Sequence, residues 1–158
     1  MKQIIFSILA SLFLLSFVGC KKDNRPPLVR VNELLRKKHL PEALFIDSLF
    51  GYADVEESIR GGEKTSYWRD ELIILSRQRE LTTKEKDELR SWTSVSLSMF
   101  KQAEKELKEH EKNGDKPEFL GYQYSESDSM SAKTTYYFID KDFEDVEIIK
   151  KYLVLPSK

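Results

Sequence analysis

The sequence predicts an α+β fold: N-terminal helices, one of them long, followed by a small C-terminal antiparallel β-meander. Three observations predict it. From Thr83 to Asn113 neither proline nor glycine interrupts the chain, and apolar residues recur at helical spacing. Past Pro117 that period gives way to runs rich in aromatic and β-branched residues, as strands are. The helical runs come first and the extended runs last, which is the order of an α+β domain.

Each element follows from its residues. Val31, Leu34 and Leu35 give a first helix its apolar face. Pro41 is placed to open a second helix carrying Leu44, Phe45, Ser48 and Leu49, which Phe50-Gly51 closes. Asp54 to Ile59 adds a turn or two before Gly61-Gly62, a pair expected to break the chain. Residues 66–80 then form a helix in which Trp68, Leu72, Leu75 and Arg79 share a face, widened by Ile73 and Ile74. Thr82-Thr83-Lys84-Glu85 is a capping box: the Thr82 hydroxyl takes the Glu85 amide, and the Glu85 side chain reaches back. In the long helix after it, Leu89, Trp92, Ser96, Met99, Ala103 and Leu107 mark the buried side, with Leu97 and Phe100 beside them. Gly114 stops that helix.

Residues 119–124 and 134–139 read as two strands joined by the polar loop Ser125-Glu126-Ser127-Asp128-Ser129. Asp140-Lys141-Asp142 makes the next turn. Residues 146–155 fit a helix through Val146, Ile149 and Leu153, and a strand through their β-branched content; the strand is preferred. The long helix is expected to cover the inner face of this meander.

The chain has 158 residues, one cysteine and two histidines, and 26 Lys+Arg against 27 Asp+Glu. That length suits one domain. A net charge of −1 gives no electrostatic ground for a nucleic-acid partner. So few soft ligands leave no zinc cage, and one cysteine makes no intrachain disulfide.

Met1-Lys2-Gln3 precedes a charge-free run, Ile4 to Val18. Its fifteen residues rise roughly 22 Å as a helix, short of the roughly 30 Å hydrocarbon core of a bilayer. A basic start and an apolar stretch of this length describe an export signal. The run ends in Phe17-Val18-Gly19-Cys20, which resembles the lipobox of bacterial lipoproteins. The resemblance implies that the Cys20 thiol receives a diacylglyceryl group, that cleavage falls between Gly19 and Cys20, and that the new amino terminus is then acylated. Two or three acyl chains on one residue, at about 0.8 kcal/mol per buried CH₂, hold a water-soluble domain durably. The competing reading is an uncleaved anchor, favoured by Lys21, Lys22 and Arg25 against Lys2 and opposed by the short span.

The expected organisation is therefore a signal peptide over residues 1–19, a tether over residues 20–27 ending in Pro26-Pro27, and one domain over residues 28–158. Lys21 stands where an inner-membrane retention signal places aspartate, so the resemblance favours the outer membrane. The mixed Lys/Asp tether and aromatic C-terminal strands also resemble those of small Bacteroidetes lipoproteins, a likeness that brings no activity with it.

Candidate chemistry is sparse. His39 sits in a basic loop and His110 on a charged helix face. Asp140-Lys141-Asp142-Phe143-Glu144-Asp145 spaces acids like a calcium loop, but Asp145 and Lys151 stand where that loop needs Gly and an acid. Carboxylate pairs such as Glu56/Glu57 carry no mark of burial. No Gly-rich phosphate loop, G-x-S-x-G or H-E-x-x-H occurs, and no cofactor is indicated. The aromatic strands remain. Tyr122, Tyr124, Tyr136 and Tyr137 either line the core or, pointing outward, form a contact surface, tyrosine being enriched in interface hot spots. The expectation is a non-enzymatic envelope lipoprotein that works through a membrane, reached by Cys20, and an envelope protein. The alternative is a periplasmic or surface module that binds or transforms a ligand in a pocket between helix and sheet.

Overall fold

A computed structural model describes residues 23–128, 130 and 132–152. The element order is α1 (Pro27–Lys37), β1 (Asp47–Gly51), α2 (Ala53–Ser76), α3 (Thr83–Asn113), β2 (Glu118–Asp128), β3 (Lys133–Asp140) and β4 (Val146–Tyr152). The fold is α+β. Its antiparallel sheet has the order β1-β2-β3-β4, each strand beside its neighbour in sequence.

Pro27 opens α1 at its first position, where the missing N–H costs no hydrogen bond. Val31, Leu34 and Leu35 are buried on the face expected of them. His39 ends the segment in a left-handed conformation at φ 55°, and the Leu40 amide bonds back to the Leu35 carbonyl at 2.9 Å.

The helix expected from Pro41 does not form. Asn32 clips both backbone groups of Ala43: the Ala43 amide donates to Asn32 Oδ1 at 2.8 Å, and Asn32 Nδ2 donates to the Ala43 carbonyl at 3.0 Å. A residue held this way cannot join a helical ladder. The chain instead enters β1, which pairs Ser48 with Tyr122 and Leu49 with Gly121. The meander thus gains a fourth strand from the N-terminal half.

Gly61-Gly62 does not break α2 either. Ser96 Oγ donates to the Gly62 carbonyl at 3.1 Å and lies 2.6 Å from Ser66 Oγ. A Cβ on Gly62 would sit 3.0 Å from the Phe100 ring, and one on Gly61 would sit 2.9 Å from Met99 Sδ. The pair costs about 1 kcal/mol per residue relative to alanine in a helix interior. It also lets α2 and α3 approach closely, and that packing offsets the cost.

The capping box starts α3 as expected. The Glu85 amide donates to Thr82 Oγ1 at 3.3 Å, and the Thr82 amide donates to Glu85 Oε2 at 2.8 Å. Gly114 ends the helix in the left-handed region at φ 71°. Ser96 and Ala103 are buried along it, while Leu107 stays 39% exposed.

The layers differ from expectation in one respect. α2, not the long helix, lies on the sheet beside β4, and α3 packs chiefly along α2. The other sheet face is covered by α1 and the segment after it. There Val31, Leu34, Leu35, Ala43, Tyr124, Tyr137 and Ile139 form the core cluster. β4 is the strand preferred from its composition as far as Tyr152, residues 153–155 lying outside the described residues, and Ile149 is fully buried in it. Residues 125–128, expected as loop, extend β2.

Candidate functional site

Gly19 and Cys20 lie outside the described residues. Just beyond them, Asp23 and Arg25 are tied to the first turns of α1. Arg25 Nη2 meets Asp23 Oδ2 at 2.7 Å and its Nη1 pairs with Glu33, while Arg30 Nε stands 3.4 Å from Asp23. Hydrogen bonding from Arg25 holds the Asp23 carboxyl well below the usual carboxylate range.

The tyrosines are brought together, but inward. β2–β3 register sets Tyr124 opposite Tyr137, and the two rings stack at 4.4 Å and 4°. They are 5% and 6% exposed, so neither belongs to a surface. The Tyr124 hydroxyl donates to the Pro41 carbonyl at 2.9 Å, and the Tyr137 hydroxyl to Glu126 Oε2 at 3.1 Å. Burial pushes the Tyr137 phenol up to about 12 and raises that of Tyr124 further. Tyr122, on the same face, is half-buried between Phe119 and Phe143. Tyr136 points to the α2 side, half-buried, with Lys151 Nζ 4.6 Å from its ring centre. Among the described residues helices cover both sheet faces, so of the two alternatives for these tyrosines it is the core that takes Tyr124 and Tyr137, with Tyr122 and Tyr136 half-buried beside it.

Other apolar groups take the surface. Leu44 is 91% exposed, and Phe45 and Phe50 are 62% exposed. Leu44 and Phe45 precede β1 and Phe50 lies in it, an edge strand whose only strand partner among the described residues is β2. Phe50 packs on Phe119 at 5.5 Å, so the patch extends onto the second strand. Reading residues 41–50 as helix hid this edge. The signal available was the aromatic and β-branched Phe45-Ile46 pair running into Leu49-Phe50-Gly51.

Two polar clusters join elements far apart in sequence. His110, near the end of α3, has Nδ1 2.8 Å from Asp115 Oδ2 and Nε2 3.0 Å from Asp54 Oδ1. Tyr52 stacks on its ring at 4.0 Å, and the Tyr52 hydroxyl donates to the Asp115 carbonyl at 2.9 Å. With a carboxylate on each nitrogen the imidazole is held as a double donor. Its pKa is raised, by the Asp115 bond first and the Asp54 bond second. The second cluster is Lys133, which donates to Glu71 Oε1 at 3.1 Å and lies 4.8 Å from the Tyr152 ring centre. It fastens α2 to the start of β3.

The remaining candidates have structural settings. His39 is exposed at the end of α1. Asp140 Oδ1 accepts the Glu144 and Asp145 amides at 2.7 and 3.1 Å, closing the β3–β4 turn on itself. Glu57 is exposed; Glu56 is half-buried, and desolvation raises its pKa. Among the described residues no group of three or more His, Cys, Asp or Glu side chains is placed to hold a metal ion. No helix among them is long and apolar enough to cross a membrane. No protein-family model matches the chain, and no curated protein or solved structure matches it.

Proposed function

We propose that this chain is a lipid-anchored, non-enzymatic domain of the bacterial cell envelope that acts through protein contacts. The observation that carries the reading is the order of residues 1–22: a basic start, a charge-free run too short to span, Gly19-Cys20, then Lys21-Lys22. In the sequence Cys20 stands between that run and the charged Lys21-Lys22, a setting that does not suit the small buried hydrophobe an unmodified cysteine usually is. Lys21 after the cysteine favours the outer membrane.

Contact passes through the β1 edge rather than the tyrosines. An edge strand presents unpaired backbone groups, and Phe45 and Phe50 flank them with apolar area. These features suit addition of an extended segment from an envelope protein, with main-chain bonds giving affinity and the phenylalanines giving specificity.

The test is mass spectrometry of the protein taken from membranes. The expected species begins at Cys20 and carries two or three acyl chains. A species that keeps residues 1–19, or an unmodified Cys20, removes the reading.

A further inference from the structure

The first described residue, Asp23, is already bound into the body of the domain. Its carboxylate takes the fork of Arg25, Nε at 2.9 Å and Nη2 at 2.7 Å, and accepts the Arg25 amide at 3.1 Å. Arg25 Nη1 also pairs with Glu33 on α1, and Arg30 Nε lies 3.4 Å from Asp23 Oδ2. Arg30 in turn places its guanidinium 3.7 Å from the centre of the Phe143 ring, in the β3–β4 turn. Asp142 and Phe143 line one hollow with Asp23 and Arg25. Four charges and the stiff pair Pro26-Pro27 thus fold residues 23–27 onto the corner where the start of α1 meets the β3–β4 turn. One exposed ion pair would not hold a leash, but a bidentate fork inside a local network does.

We propose that this corner sits directly on the phospholipid headgroups of the membrane that holds the chain. The proposal rests on the acylated Cys20 of the preceding section and adds which surface meets the lipid. Only Lys21 and Lys22 separate Cys20 from Asp23. Those three steps of chain reach at most about 11 Å, whereas a solvated tether running to Pro27 would reach about 25 Å. The knot therefore removes more than half of the leash.

Surface charge does not do the seating. Exposed Lys37 and Lys141 stand at this corner with exposed Asp142 and Glu144, which leaves little net pull on anionic lipid. The short arm sets the distance, so salt should not release the corner. The other end of the sheet is carried away from the membrane. β3 runs from Asp140, beside the turn, back to Lys133, which is fastened to Glu71 of α2. That length of strand is roughly 25 Å. Gln78 lies past the end of α2, beyond Glu71.

The experiment takes the acylated full chain from membranes into vesicles of phosphatidylethanolamine and phosphatidylglycerol that contain a nickel-chelating lipid. With Cys20 blocked by its lipid, a nitroxide is attached through Asp142→Cys or Gln78→Cys, and electron paramagnetic resonance reads its relaxation by the headgroup nickel. Relaxation at position 142 should exceed that at position 78 at least threefold, at low and at high salt. The double variant Asp23→Ser/Arg25→Ser, which unties the knot outside the core, should cut that ratio at least by half. The two labels on the parent decide the matter even where the double variant misfolds. Equal relaxation at the two positions, a contrast lost at high salt, or a ratio unchanged in a folded double variant overturns the proposal. Mass spectrometry of the same sample separates the failures. An unmodified Cys20 removes the anchor and this seating together, whereas an acylated chain with equal relaxation removes the seating alone.

Discussion

Gly121 is a place where the sheet admits no side chain. Its φ is +147°, and a Cβ built there would lie 2.0 Å from the Ile139 carbonyl oxygen. Neither the backbone of β2 nor that of β3 can yield at that point without losing ladder bonds. Gly121→Ala should therefore lower stability by about 3 kcal/mol or more, well beyond an ordinary surface change. Chemical denaturation measures it, and a loss under ~0.5 kcal/mol would show that the bend in β2 relaxes. The β1–β2 irregularity between Leu49 and Phe50 sits beside this glycine. It aims Phe50 at Phe119, so a backbone requirement at one residue shapes the exposed edge.

At the scale of elements, α3 and α2 are clamped at their far ends by His110. Protonation strengthens both of its contacts, and the raised folded pKa means that the folded state binds this proton more tightly. The stabilisation is therefore complete below the ordinary histidine value of 6.5 and is lost as pH rises through the raised folded value. Asp54 is held below its usual value of 3.8 by the same bond, so it remains charged at mildly acidic pH. The melting temperature of the parent should exceed that of His110→Gln most at about pH 5 to 6, with the gap shrinking toward pH 9. A constant gap across that range would mean that stacking on Tyr52, not charge, holds the ring.

The same two helices show what the sequence made legible. The limits of α3 could be read residue by residue, because Thr82, Glu85 and Gly114 act locally on the backbone that carries them. β4 could be chosen from its β-branched content for a similar reason. Continuity of α2 through Gly61-Gly62 could not, since its cause is Ser96, Met99 and Phe100 on another helix. β1 was hidden in the same way: Asn32, eleven positions earlier, removes Ala43 from helical bonding. Tyr124 and Tyr137 could be placed on opposite or equal faces by alternation. Which face met a helix was a tertiary fact, and both faces did. The His110 clamp and the Arg60–Glu147 ion pair likewise join residues distant in sequence, and no spacing rule connects them.

Taken whole, the domain holds itself together by packing. α1 seals one sheet face around Leu35 and Tyr137, α2 seals the other around Ile149, and α3 backs α2. Ion pairs such as Arg60–Glu147 and Lys133–Glu71 tie the layers at their margins. On the proposed reading, what attaches this body to a bilayer is the acylated cysteine alone. The most direct measurement is fractionation of cells making the full chain beside a Cys20→Ala version. The account predicts that the parent sediments with outer-membrane vesicles as a cleaved, acylated species, and that the alanine version is neither acylated nor cleaved at residue 19 and loses the outer-membrane distribution. An alanine version that is processed and distributed as the parent is would contradict it.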